Sequence, residues 1–459
     1  MQQLQLLTNK LASAAEWGST LYSVSVEPLL TIMKQSVYNH IINLDGRKFI
    51  FNSLSNQFLP VTTKLQDGLN GVFADDTTIK NLINKGFLIN DDICEKELVK
   101  SFFLTRKHSN RIYNLIINTT LECNLGCWYC YETHIKKSFL PLSLVSTILE
   151  HLKIKASTEP FEVLELSFFG GEPMMNYRAI KNLLDGIKVL SEEAGYKVNL
   201  TFVTNGTFLH ERYADLLKPF PTRFQITIDG DEQMHNSVRK YKSKNFTEGS
   251  YENIISGLKL FNSVEAEFYF TIRINYDNNV LANIDNLIKD LDFLNRKRTF
   301  ISLHRIWQYS ATAKDYKNLF DAIERINSKR FIVNTFRLVQ KFESCYADNY
   351  NHAVINYNGE VFKCTARDFT KAPAEGILNS DGFIEWDTAR INKRLSVEIP
   401  QKCLDCSLLP CCPGICSQQL IEATDINSIE CPFKDSISKE NMILLNIKQK
   451  LIARKNEGI

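Results

Sequence analysis

Cys123, Cys127 and Cys130 stand in the run Leu121-Glu-Cys-Asn-Leu-Gly-Cys-Trp-Tyr-Cys-Tyr131. Cysteine thiolate is the usual protein ligand of an iron–sulfur cluster, and a four-iron cubane held by three thiolates keeps one iron open to a small chelating ligand. Ligand count therefore separates a cluster that only relays electrons from one that also binds substrate. The same three residues could instead belong to a zinc site, with His134 as the nearest fourth donor, or be small buried hydrophobes.

The elements around them decide what they can do. The apolar, β-branched stretch 111–120 reads as a buried strand, so the cysteines occupy the loop after it. In an α/β barrel, chemistry belongs at such C-terminal strand ends. A second strand, 163–169, runs into Gly170-Gly171-Glu172-Pro173; the glycines would let the backbone approach a ligand closely, and the carboxylate could accept from an ammonium. A third, 197–203, ends in Thr204-Asn205-Gly206-Thr207, and a fourth, 223–228, ends in Asp229-Gly230 with His235 and Arg239 beyond. Strands over 268–274 and 299–306 follow, with helix-period segments at 142–153, 178–190, 251–261 and 280–291 between them. Six strand–helix units predict an α/β fold, a (β/α)6 partial barrel.

These strand-end motifs and the cysteine spacing resemble the radical S-adenosylmethionine (SAM) superfamily. The resemblance implies that Cys123, Cys127 and Cys130 hold a [4Fe-4S] cluster whose open iron is chelated by SAM. One electron, delivered by a reductant such as flavodoxin or ferredoxin, then cleaves SAM to methionine and a 5′-deoxyadenosyl radical. It also implies that Gly170, Gly171, Glu172 and Asn205 contact SAM and that Tyr129 packs near the adenine. Thr227 stands where serine is common and keeps a hydroxyl able to bond SAM.

The other cysteines gather in the last third: Cys345, then Gly359-x4-Cys364, then Cys403-x2-Cys406-x5-Cys412-x3-Cys416, and finally Cys431. Taken alone, the pattern also fits interleaved zinc knuckles. After a radical SAM core it resembles the SPASM domain, which houses two auxiliary [4Fe-4S] clusters. By that resemblance Cys403, Cys406, Cys412 and Cys431 hold the outer cluster, and Cys345, Cys364 and Cys416 the inner one. No cysteine lies between Cys345 and Cys364, so the inner cluster would keep an open iron, able to take a substrate thiolate, or borrow another ligand. Sulfatase maturases of this kind carry an aspartate after the G-x4-C cysteine; here the residue is Thr365, with Asp368 three further on. Cys94 and Cys411 fall outside the pattern and read as bystanders.

Ahead of the barrel, 39–51 reads as a hairpin about Asp45-Gly46, followed by amphipathic stretches and a short strand within 83–89; the first twenty residues read as a helix. This resembles the winged-helix domain by which peptide maturases recruit a leader peptide through strand addition. The expected division is 1–108 winged-helix-like, 109–330 radical SAM core and 331–459 SPASM domain.

The 459 residues carry 54 basic and 52 acidic side chains, a net charge of +2 that points to neither nucleic acid nor membrane as partner. The cluster Arg239, Lys240, Lys242, Lys244 reads as a solvated loop. No export signal or membrane-spanning run is evident, so the chain reads as cytoplasmic, with reduced cysteines available to metal. The function expected is oxidative modification of a ribosomally made precursor peptide bearing a leader, by thioether cross-linking of a Cys. Carbon–carbon cross-linking or sulfatase maturation are the alternatives, and a zinc or redox scaffold without catalysis is the alternative from another class. No catalytic acid or base is assigned.

Overall fold

The computed structural model describes residues 32–44, 46–71, 75–243, 248–306, 308, 313–334, 345–412, 414–431 and 439–457. The expected helix in the first twenty residues, Asp45 of the hairpin turn and Lys244 lie outside them.

Six strands form a continuous parallel run: β1 (Ile112–Thr120), β2 (Val163–Gly170), β3 (Lys197–Thr204), β4 (Thr222–Thr227), β5 (Phe268–Tyr276) and β6 (Thr299–Arg305). Each pairs with its sequence neighbour, as short right-handed β–α–β connections require. Burial alternates along β2 and β3. Leu164, Leu166 and Phe168 of β2 join the main core with Ile180, Leu183 and Ile187 of helix Tyr177–Ala194, whose apolar residues recur at helical spacing. The intervening Glu165, Ser167 and Phe169 are only half buried, on the face opposite the helices.

The sheet extends past the six expected strands at both edges. β7 (Ile332–Asn334) adds parallel to β6. At the other edge β8 (His352–Ile355) pairs parallel with β1, and β9 (Glu360–Phe362), β10 (Gly376–Leu378) and β11 (Ile384–Trp386) continue as an antiparallel meander. The result is an open sheet of 11 strands in the order β7-β6-β5-β4-β3-β2-β1-β8-β9-β10-β11. One expected helix differs: 280–291 is broken at Asn283 into Asn278–Ala282 and Ile284–Asp290.

The N-terminal hairpin forms as expected, Asn39–Leu44 against Arg47–Asn52, turning through Gly46 at φ +77°. Gln57–Pro60 adds a third strand, and Met33–Gln35 pairs with Leu88–Asn90. Helices Thr63–Leu69, Asp76–Asn84 and Glu95–Lys107 complete the segment. It packs on the cysteine-rich region: Ile42, Leu44 and Phe51 share a core with Leu408, Cys411, Met442 and Ile447. Lys96 pairs with Asp405 at 2.7 Å, and Ser53 Oγ donates to the Ser407 carbonyl at 2.5 Å. No helix among the described residues is long and apolar enough to cross a membrane.

Candidate active site

The loop carrying Cys123, Cys127 and Cys130 is touched by segments at or just beyond the C-terminal ends of all six strands. From β1 and β2 come the first contacts: Gly171 N donates to Thr120 O and Glu172 N to Glu122 O. A Cβ on Gly170 would meet the Thr120 carbonyl oxygen at 2.2 Å, and one on Gly171 the Glu122 oxygen at 2.3 Å. What these glycines admit so closely is therefore the chain's own backbone ahead of Cys123. After β3, Asn205 Nδ2 donates to Asn124 Oδ1 at 2.7 Å and lies 3.7 Å from Cys123 Sγ, while Asn124 Nδ2 reaches Thr207 at 2.9 Å. After β4, Lys240 and Lys242 bracket an antiparallel bridge between Leu125 and Tyr241, through Gly126 N to Lys240 O and Lys242 N to Asn124 O. Beyond β6, Gln308 Nε2 donates to Tyr129 O at 3.1 Å.

Tyr129 is the post of this loop. Its hydroxyl donates to Asp229 and accepts from Arg239 Nη1 at 2.7 Å and from Asn275 Nδ2, near the end of β5, at 3.1 Å. Arg239 and Asp229 form an ion pair at 3.5 Å with both side chains buried. His235 accepts from Asp229 N and meets Ser250 Oγ at 3.0 Å; burial holds its imidazole neutral, well below the usual range. One expectation changes here: Arg239 is a buried structural cation, not part of a solvated loop.

Glu172 is fully buried, its Oε1 accepting from Met174 N and Thr204 Oγ1 and its Oε2 from Asn205 N at 2.7 Å. Burial pushes its pKa up to about 7. The carboxylate staples the ends of β2 and β3. Thr227 is half buried and stands in register with Arg273 of β5. Arg273, a barrel-lining cation depressed by desolvation and neighboured by Tyr131 and Asp229, was not singled out from sequence; nor was Asn275. The signal that could have found Asn275 is its place at a strand's C-terminal end.

Cys345, Cys364 and Cys416 are electrostatic neighbours, as are Cys403, Cys406, Cys412 and Cys431, with Cys411 beside Cys406 and Cys412. Burial, reinforced by Glu172, pushes Cys123 up to about 12, and burial, reinforced by neighbouring cysteines, pushes Cys345 and Cys412 up to about 11. Thiols raised in this way ionise readily only when a metal supplies the compensating charge. Buried polar atoms without a partner among the described residues lie at the first group, Glu132 Oε1 and Arg239 Nε. Thiol donors with unpartnered polar atoms beside them fit an iron–sulfur group there. Among the described residues no three His, Cys, Asp or Glu side chains converge on one metal ion, and a cubane, each of whose irons takes one thiolate, does not ask for that.

His134 lies 3.9 Å from Cys130 Sγ and 2.8 Å from Lys242 Nζ; burial and that lysine lower its pKa to about 4. Cys411 is fully buried in the apolar core beside Met442, and Cys94 is exposed at the start of helix Glu95–Lys107. Thr365 is bonded to the Tyr346 hydroxyl at 2.5 Å. Asp368 accepts from Thr133 and Thr370 and is held at about 2, so it is poorly suited to take a proton.

Residues 117–291 match the model of the Radical SAM superfamily. A cysteine-type anaerobic sulfatase-maturating enzyme of Clostridium novyi is 24% identical over 342 residues, covering 66% of this chain and 87% of that enzyme. The radical SAM cyclopropyl synthase TigE of Paramaledivibacter caminithermalis is 22% identical over 446 residues, covering 83% of this chain and 89% of TigE. Among solved structures, native anSMEcpe with bound AdoMet and Cp18Cys peptide superposes with a TM-score of 0.52 at 17% identity, over 76% of this chain and 97% of that one. The chain carries a radical SAM domain on the expected α/β partial barrel, and its relatives include a sulfatase-maturating enzyme and a radical SAM cyclopropyl synthase.

Proposed function

We propose that this protein cleaves SAM reductively and oxidatively modifies a ribosomally made peptide, by thioether cross-linking of a peptide cysteine. The observation that supports the reading is that Cys345, Cys364 and Cys416 are electrostatic neighbours of one another, apart from Cys403, Cys406, Cys412 and Cys431. A three-thiolate cluster at the former leaves one position for a thiolate of the peptide. In this reading Cys123, Cys127 and Cys130 hold the SAM-binding cluster.

When bound, that cluster supplies one electron that splits SAM into methionine and a 5′-deoxyadenosyl radical, which takes a hydrogen atom from a peptide carbon. The chain's residues do the positioning: Asn205 and Asn124 fix the Cys123 turn, and the Tyr129–Asp229–Arg239–Asn275 network fixes its far end. Cross-linking would remove two hydrogens from the peptide, one as that atom and one as the thiol proton, with the remaining electron passed to the oxidised form of the flavodoxin- or ferredoxin-type partner. The segment 1–108 is proposed to grip the leader peptide along the edge strand Asn39–Leu44, with 109–330 as the catalytic core and 331–459 as the auxiliary-cluster domain. The test is anaerobic reaction with a cysteine-bearing precursor: a product lighter by two hydrogens whose sulfur no longer alkylates. A Cys→Ser peptide converted equally well would sink the thioether step.

A second reading is favoured by the longer match to TigE: carbon–carbon bond formation on the peptide. A mass loss of two hydrogens with every thiol still alkylatable would select it.

A further inference from the structure

A cavity of about 660 Å³ opens between the segment after Cys364 and the helices Thr388–Leu395 and Ser417–Glu422. Its size falls in the range of ligand-binding clefts. Arg367, Lys371, Arg390, Lys393 and Arg394 line it against three carboxylates, and Asp387 just outside the lining pairs with Arg390 at 2.9 Å, which leaves an excess of one positive charge. Each carboxylate is already taken: Glu422 by Arg367, Asp368 by Thr133 and Lys371, and Glu375 by Arg394 and the Lys363 amide. Arg394, the most buried of the five cations, has its guanidinium fixed by Glu375 at 2.8 Å and Gln418 at 2.5 Å, whereas Arg390 and Lys393 are exposed at the rim. Paired guanidinium groups are held in place before a ligand arrives, which lowers the entropic cost of binding.

The cavity lies beside the proposed chemistry. Arg367 is three residues from Cys364, a separation of at most ~11 Å along the chain; Gln418 is two residues from Cys416. Asp368 ties the same wall to Thr133, three residues beyond Cys130. A residue held in the cavity would thus keep its chain neighbours beside both three-cysteine groups.

We propose that this cavity binds acidic side chains of the peptide substrate, adjacent Asp or Glu residues close in sequence to the one that is modified. The proposal rests on the peptide reading above and adds a charge requirement to it. Carboxylate recognition by clustered arginines is directional, because the planar guanidinium meets both carboxylate oxygens.

The test uses the full chain purified and reconstituted anaerobically, with fluorescein-labelled N-acetyl-tetraglutamate and N-acetyl-tetraglutamine as probes in fluorescence anisotropy. Tetraglutamate should bind and weaken as salt rises, and tetraglutamine should not. The rim double variant Arg390→Glu/Lys393→Glu, with its circular dichroism unchanged, should bind tetraglutamate at least about tenfold more weakly, as expected for loss of charged hydrogen bonds; Arg367→Gln should weaken it less. Equal binding of the two probes, or undiminished binding by the rim variant, overturns the proposal. Displacement of tetraglutamate by an equal concentration of free glutarate assigns the cavity to a small dicarboxylate and overturns the peptide occupant. SAM cleavage by the unaltered protein under dithionite is read separately: absence of 5′-deoxyadenosine defeats the radical reading, whereas the probes alone decide the charge requirement.

Discussion

Cys123, Cys127 and Cys130 fall within eight consecutive residues clamped by contacts from six strand ends, whereas Cys345, Cys364 and Cys416 come from three separate segments spread over the last third of the chain. The first group has its geometry fixed by hydrogen bonds before any metal arrives: the Asn205–Asn124 pair at one end, the Tyr129 network at the other. The second group leans on long-range packing, with β8 on β1 carrying the segment between Cys345 and Cys364 and the buried Glu375–Arg394–Gln418 chain holding helix Ser417–Glu422. A preorganised loop suits a site that must cut its co-substrate alone; a site assembled from distant parts suits one that answers to the substrate.

The largest expected effect tests that division of labour directly. Replacing Cys123, Cys127 and Cys130 by Ala should abolish 5′-deoxyadenosine formation under reductant, read by chromatography. Replacing Cys403 and Cys406 should leave SAM cleavage measurable while peptide modification disappears. If both variants lose SAM cleavage equally, the two regions do not act separately.

A second test strikes the clamp. Arg239→Ala leaves Asp229 buried without its ion pair, and breaking such a pair costs roughly 3–5 kcal/mol, a large part of the ~5–15 kcal/mol that stabilises a typical domain. Urea unfolding should show a midpoint shift of that order. A shift under ~1 kcal/mol would place Arg239 with ordinary surface cations.

Glu172 gives the comparison a pH signature. Its folded pKa of about 7 stands above the ordinary 4.5, so between those values the folded state holds a proton that the unfolded state has lost. Stability from this group is present below about 4.5 and falls as pH rises toward about 7. Glu132, raised to about 8, adds the same sign. The urea midpoint should therefore drop from pH 5 to pH 7, and Glu172→Gln should flatten that drop; an unchanged slope would mean that Glu172 is not the group titrating.

The smallest effect is expected at Thr365. Removing its hydroxyl by Thr365→Val deletes one bond to Tyr346 and should cost about 0.5–1.5 kcal/mol, with peptide modification kept. Loss of modification without loss of stability would instead give Thr365 a part in proton transfer.

Much of this was legible in the chain because it is local. The β1–β6 order follows from apolar strands alternating with helix-period segments, and the late cysteine groups come from the resemblance to the SPASM pattern. What spacing cannot convey is which face a side chain takes. Arg239 sits among lysines and reads as solvated, yet the close of helix Glu232–Val238 turns it inward onto Asp229. Glu172 follows two glycines in a turn; that its carboxylate staples two strand ends shows only with the arrival of Thr204 and Asn205, more than thirty residues on. β7, three residues long, is too short to carry a period.

The pairing of β1 with β8 bears on how the molecule is made. Asn114 and His352 are 238 residues apart, yet His352 Nδ1 meets the Asn114 carbonyl and the strands lie in register. From the end of β6 at Arg305 to His352 a ribosome at ~5–20 residues per second needs roughly 2–9 s. Through that interval the six-stranded core can fold while one side of β1 stands as an unpaired, apolar edge next to the cysteine loop. Such an edge is a template for joining the wrong chain. The nascent protein should therefore be most prone to aggregate between emergence of β6 and emergence of β8, and truncations ending before residue 352 should be less soluble than the full chain.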